Sequence, residues 1–90
     1  MSRMNIEVVG TPNPSAVKFV LDTDALGPDS RSYFSADEAA TDALARRIFE
    51  VRGVRALFMV DDFITVTRAA DATWDDMVEE VLCAIREELE

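Results

Sequence analysis

The chain has 90 residues, nine basic and eighteen acidic side chains, no histidine and a formal charge of −9. That length makes one domain, residues 1–90, able to bury roughly 60–70% of its unfolded surface without disulfide or metal staples. Apolar residues make up 49% of it, which argues against disorder, and its acidity disfavours nucleic acid and anionic membranes, which call for basic surface.

No apolar run approaches the ~20 residues of a membrane helix. Met1-Ser2-Arg3-Met4 leads straight into a strand pattern with no apolar signal region, and Cys83, the only cysteine, cannot form an internal disulfide. Both point to a cytoplasmic, reducing setting.

Met4 to Val9 alternates Ile6 and Val8 with Glu7 and Val9, the period of a strand. Gly10-Thr11-Pro12-Asn13-Pro14-Ser15 then breaks the pattern, and its two prolines make a stiff loop. Ala16 to Leu21 reads as a second strand, with Val17, Phe19 and Leu21 on one face and Lys18 and Val20 on the other. Asp22 to Phe34 has no clear period and contains Gly27-Pro28 with several Asp and Ser. It reads as a long loop whose end, Tyr33 and Phe34, tucks back onto the core as a short extended piece.

Ser35 with Glu38 matches a capping box, so the first helix is expected to start there. Ala40, Leu44, Ala45, Ile48 and Phe49 form its apolar stripe, Arg46, Arg47 and Arg52 crowd its end, and Gly53 stops it. Val54 to Val60 is a strand apolar on both faces, hence central in its sheet. Asp61-Asp62 turns the chain, and Phe63 to Arg68 returns as an antiparallel strand. After a short connection from Ala69 to Ala72, Thr73 and Asp76 suit the start of a second helix. Trp74, Met77, Val78, Val81, Leu82, Ile85 and Leu89 form its stripe, and its acidic last turn predicts fraying after Arg86. The order is ββαββα: an α+β two-layer sandwich with two helices on one face of a four-stranded sheet.

Little in this pattern carries chemistry. Without histidine there is no usual general base, no Ser-His pair and no common metal ligand, and no Gly-rich phosphate loop appears. The expectation is a protein that is not an enzyme. Asp61-Asp62, even with Asp22 or Asp24, offers few oxygens for a hard cation and reads as a solvated turn. Cys83 falls on the helix face opposite the stripe, among Glu79, Glu80 and Glu87, where carboxylates favour the protonated thiol. It is either an incidental surface thiol or a redox or cluster contact. Thr11-Pro12-Asn13-Pro14 is either a rigid connection or a pre-ordered recognition loop, with Lys18, the only lysine, beside it. Trp74 is a lid on the core edge or an interface residue. Arg46, Arg47, Arg52 and Arg55 serve helix-end electrostatics or dock a partner.

Taken in order, these segments resemble a known family. Thr11-Pro12-Asn13-Pro14 followed by Lys18-Phe19 is similar to the opening signature of the N-terminal domain of Nfu/NifU-type iron–sulfur cluster scaffold proteins. Leu44-Ala45 and Ile48-Phe49 look like its first helix, and Val51 with Gly53-Val54 like its helix-to-strand junction. Asp62-Phe63-Ile64-Thr65-Val66-Thr67 resembles its most recognisable segment, and Trp74 stands where the family opens its last helix. The resemblance runs from about Gly10 to Glu90. It implies an α+β domain joined, in the family, to a separate cluster-binding domain with a Cys-x-x-Cys pair, two chains together holding a 4Fe–4S cluster. This sequence contains no Cys-x-x-Cys, and such clusters are held by several thiolates.

The expectation is therefore a stand-alone copy of that domain, acting as an accessory, protein-binding module in cluster assembly or delivery. It would bind no cofactor or metal alone and meet the cluster only through a partner, either a Cys-x-x-Cys carrier or an apo-acceptor. Candidate partner-binding residues are Thr11, Pro12, Asn13, Pro14, Lys18, Asp62, Trp74 and Cys83. Two alternatives stand beside it: a general interaction module whose acidic last helix docks a basic partner, and a metal or redox protein that uses Cys83 through a dimer.

Overall fold

Alternation of apolar side chains in the strands and a 3.6-residue stripe in the last helix organise the chain around one buried layer. The computed structural model describes residues 5–89. Its elements are β1 (Ile6–Gly10), β2 (Ala16–Leu21), β3 (Gly27–Tyr33), α1 (Ala43–Phe49), β4 (Val54–Asp61), β5 (Phe63–Arg68) and α2 (Trp74–Leu89). Met4, expected to open the first strand, lies outside the described residues.

All strand pairs are antiparallel, in the spatial order β1-β2-β5-β4-β3. Two hairpins, β1–β2 and β4–β5, meet along β2 and β5, where Phe19 pairs with Ile64 and Val17 with Val66. That register sets Phe19, Leu21, Leu57, Met59, Ile64 and Val66 on one face, each no more than 3% exposed. Both helices cover this face, adding Leu44, Ala45, Ile48, Met77, Val81, Ala84 and Ile85 to the core. Each fully buried large side chain contributes about 1.5–3 kcal/mol relative to exposure.

The sheet has five strands, not the expected four. The extra one is β3, inside the segment expected to be a loop. Pro28, Asp29, Ser30 and Ser32 show no alternation, and β3 pairs with β4 through a register shift between Gly27 and Arg31. Its hold on the fold is polar: Arg31 Nη1 donates to Asp42 Oδ2 at 2.7 Å, Arg31 Nη2 to the Leu26 carbonyl at 3.3 Å, and the Tyr33 hydroxyl to Asp42 Oδ2 at 3.0 Å. Strand β4, expected to be central, has a neighbour on each side, but β5 occupies the centre of the sheet and the added edge strand β3 is what flanks β4.

Helix α1 begins at Ala43, not at Ser35. The Ser35–Glu38 chemistry is present, with Ser35 Oγ accepting from Glu38 N–H and Glu38 Oε1 from Phe34 N–H, both at 3.2 Å. It closes a turn before the helix. Asp42 is the true N-cap, its Oδ1 accepting from Ala45 N–H at 3.1 Å. One oxygen of Asp42 thus caps α1 while the other holds β3. Ala39, and not Ala40, is the buried alanine of this segment.

Gly53 stands beyond the end of α1, in a turn closed by Val54 N–H to the Val51 carbonyl at 3.3 Å. Its φ of 101° is left-handed, and a Cβ there would come within 2.7 Å of Ala72 Cβ and 3.0 Å of Met77 Sδ. The residue is glycine for two reasons, conformation and the close approach of Ala72 and the Met77 side chain. Helix α2 continues to Leu89, so the fraying expected after Arg86 is not seen. Leu89 packs against the core, and Glu87, whose charge opposes the helix dipole, is paired with Arg47.

Candidate partner-binding surfaces

The eight residues singled out from the sequence fall into separate groups. The first lies at the end of the sheet where β1 turns into β2. The Thr11 hydroxyl accepts from Asn13 N–H at 3.2 Å and lies 2.8 Å from the Asn13 carbonyl, and Asn13 Oδ1 accepts from Ser15 N–H at 2.9 Å. With Pro12 and Pro14 fixing φ, the loop is held by its own side chains. The Trp74 indole N–H donates to the Pro14 carbonyl at 3.1 Å. Loop and helix start, 60 residues apart in sequence, are one surface feature.

The second group is on the sheet face away from the helices. Registers run Val9, Lys18, Thr65, Phe58 and Ser32 across the five strands in one row, and Glu7, Val20, Phe63 and Val60 in the next. Phe58 is 37% exposed and meets Phe63 at a centroid distance of 5.9 Å. Lys18 Nζ sits 4.3 Å from the centroid of Phe63, a cation–π contact. Asp62 lies next to this patch, in the β4–β5 turn, and its carbonyl accepts from Leu21 N–H. The preceding Asp61 has φ 53°, a left-handed conformation that Asp tolerates better than most residues. The turn serves the hairpin. Among the described residues no group of three or more acidic or cysteine side chains is placed to hold a metal.

Cys83 is exposed on the outer face of α2, as its spacing predicted, with Sγ 3.5 Å from Glu87 Oε1. It shares helix α2 with Trp74, but its side-chain hydrogen bond is to Glu87 and reaches neither of the other groups. Glu87 Oε2 accepts from Arg47 Nη2 at 2.6 Å and Nε at 3.0 Å. These bonds hold the Glu87 carboxyl below its ordinary pKa and raise that of the guanidinium. Arg47 therefore clamps α1 to α2. The four arginines do not act as one cluster: Arg52 lines a cleft, whereas Arg46 and Arg55 are exposed. Burial, and then the hydrogen bond to Asp42, raise the Tyr33 phenol above its ordinary value, with Arg31 opposing.

The sequence reading missed that cleft, of about 600 Å³, between the Gly53 turn, the Ala69–Thr73 connection and the first turns of α2. Asp71, Asp76 and Glu80 line it together with Arg52. No spacing along the chain announces the cleft, because it forms between three segments. The Trp74–Pro14 contact was also missed, though a partly buried indole N–H does call for an acceptor.

With this geometry in view, comparison with known proteins supplies the class. A protein-family model described as "Scaffold protein Nfu/NifU N terminal" matches residues 6–90. The chain belongs to this family. Among curated proteins, the mitochondrial NFU1 iron-sulfur cluster scaffold homolog of Drosophila persimilis is 37% identical over 91% of this chain and 29% of its own length. Mitochondrial NifU-like protein 5 of Arabidopsis thaliana is 32% identical over 91% of this chain and 30% of its own. The chain thus spans under a third of these relatives.

Solved structures agree on the fold. Protein SAV1430 of Staphylococcus aureus is 30% identical with TM-score 0.77, covering 92% of this chain and 98% of that one. A NifU-like protein of Saccharomyces cerevisiae is 26% identical with TM-score 0.82, covering 97% and 79%.

One expectation is overturned. The Drosophila and Arabidopsis relatives are named mitochondrial, against the cytoplasmic reading. That reading rested on the missing apolar run after Met1–Met4 and on the single cysteine, and neither pattern specifies a compartment.

Proposed function

We propose that this domain is a non-enzymatic accessory module in iron–sulfur cluster assembly or delivery, acting by contact with other proteins. The single observation that carries the reading is the family match across residues 6–90. The chemistry of the chain agrees with it: the one thiol, Cys83, sits beside a carboxylate, whereas a cluster needs several thiolates. In this role the cluster stays on a partner, a Cys-x-x-Cys carrier or an apo-acceptor. The contact surfaces are the Thr11–Pro14 loop with Trp74 and the open sheet face around Lys18, Phe58, Phe63 and Asp62. The loop is already ordered, so docking costs little conformational entropy there.

The test is an NMR titration of the ¹⁵N-labelled domain with a cluster-loaded Cys-x-x-Cys carrier and, separately, with an apo-acceptor. Shifts confined to those two surfaces are expected. No interaction with either partner would remove the reading. An interaction centred on the carboxylates of α2 and dissolved by salt would favour the general docking module instead.

A further inference from the structure

The two edges of the sheet are built differently. On the β3 side Pro28 lacks an N–H, the ladder shifts register between Gly27 and Arg31, and the charged Arg31 turns back to Leu26 and Asp42. Proline, a bulge and a charge are the usual means of blunting an edge. On the other side β1 runs Ile6-Glu7-Val8-Val9-Gly10 in unbroken register with β2, without proline, bulge or lysine.

The outward backbone groups of β1 follow from those of β2. Leu21 N–H donates to the Asp62 carbonyl and Arg68 N–H to the Ser15 carbonyl. Ser15 and Leu21 therefore turn their polar groups to the β5 side, as Val17 and Phe19 do between them. Antiparallel ladders alternate, so Lys18 and Val20 turn theirs to β1, where their partners are Val9 and Glu7. Asn5 N–H, which reaches the Asp22 carboxylate at 3.0 Å, follows the same alternation. Ile6, Val8 and Gly10 direct their N–H and C=O groups away from the sheet. Val8, in the middle, is 41% exposed.

We infer that β1 is a strand-addition edge that takes an extended segment of another protein, antiparallel to β1, with a basic residue across from Glu7. Residues hydrogen-bonded to Ile6, Val8 and Gly10 would project on the helix-bearing side, where an apolar side chain covers Val8. The residue facing Glu7 would project on the open side, where Lys or Arg forms a cross-strand ion pair. Main-chain bonds supply affinity and alternate side chains supply specificity. The charge of −9 selects a cationic strand over a second copy of this chain, which would bring the same charge to the contact. The inference goes beyond the proposed function, since it requires nothing about iron or sulfur.

The probe is the synthetic pentapeptide acetyl-Val-Thr-Val-Lys-Val-amide, titrated into the full chain and followed by NMR. When its central valine pairs with Val8, its lysine faces Glu7. The amides of Ile6, Val8 and Gly10 are expected to shift and to exchange more slowly with solvent, while those of Arg31 and Ser32 in β3 stay put. N-methylation of the central valine, whose N–H bonds to Val8, should weaken binding about tenfold or more. N-methylation of the lysine, whose N–H faces solvent, should change it less than about threefold. Glu7→Lys should weaken the unmodified peptide about fivefold. If that variant does not fold, the N-methyl pair still decides on the unaltered protein. Absence of shifts at millimolar peptide, shifts centred elsewhere, or indifference to central N-methylation would overturn the inference. So would concentration-dependent shifts of the same amides without peptide, which would assign the edge to a second copy.

Discussion

The two faces of the sheet use similar side chains to different ends. On the covered face Phe19, Ile64, Val66 and Met59 are 0% exposed, sealed by α1 and α2. On the open face no helix lies over Phe58, Phe63, Val20 and Val60; Phe63 meets the Phe58 ring and the Lys18 ammonium, and Phe58 remains 37% exposed. One face therefore carries folding energy, and the other leaves part of its apolar surface open to solvent. Lone exposed hydrophobes need no explanation; a contiguous pair of rings on an otherwise acidic molecule does.

That contrast can be broken experimentally, starting where the effect is largest. Ile64→Ala on the covered face should cost about 2–5 kcal/mol in denaturant unfolding, the cost of a cavity in a sealed core. Gly53→Ala, which pushes a methyl into Ala72 and Met77 from a left-handed backbone, should cost about 2–4 kcal/mol. It should also loosen the first turn of α2. Phe58→Ser, on the open face, should cost about 1 kcal/mol or less while weakening the shifts seen with a cluster carrier. A loss as large as that of Ile64→Ala would show that the open face is part of the core after all.

The smallest effect is electrostatic. Hydrogen bonds from Arg47, reinforced by Cys83, depress the Glu87 carboxyl below its ordinary 4.5. A group depressed in the folded state contributes stability that is present above its unfolded pKa and is lost as pH falls through the folded one. Arg47→Ala should return the Glu87 carboxyl towards its ordinary value in an NMR titration and flatten that part of the acid-side slope. An unchanged Glu87 would mean that the clamp between α1 and α2 does not persist in solution.

What could be read from the chain divides along similar lines. Helix α2 was legible because its stripe runs its whole length at one period, and the β4–β5 hairpin because both strands alternate. Strand β3 was not, because its pairing depends on Arg31 and Tyr33 finding Asp42, which lies beyond it in sequence. The start of α1 was misplaced for an instructive reason: Ser35 and Glu38 do make capping hydrogen bonds, but local chemistry cannot tell a turn from a helix, and Asp42 supplied the second signal. Of the candidate residues, the loop and Trp74 proved to be joined, whereas Lys18 and Cys83 went to opposite sides of the molecule. Which residues share a surface depends on tertiary contacts that no local pattern contains.

The β2–β5 seam has a consequence for how the chain acquires its shape. The β1–β2 hairpin comes early in the sequence, yet its inner edge and its half of the core find their partners only in β5, Phe63–Arg68. During synthesis the β1–β2 hairpin must wait, apolar side chains uncovered, until Phe63–Arg68 has also left the ribosome. A late, non-local pairing of this kind slows folding and leaves the nascent chain open to association.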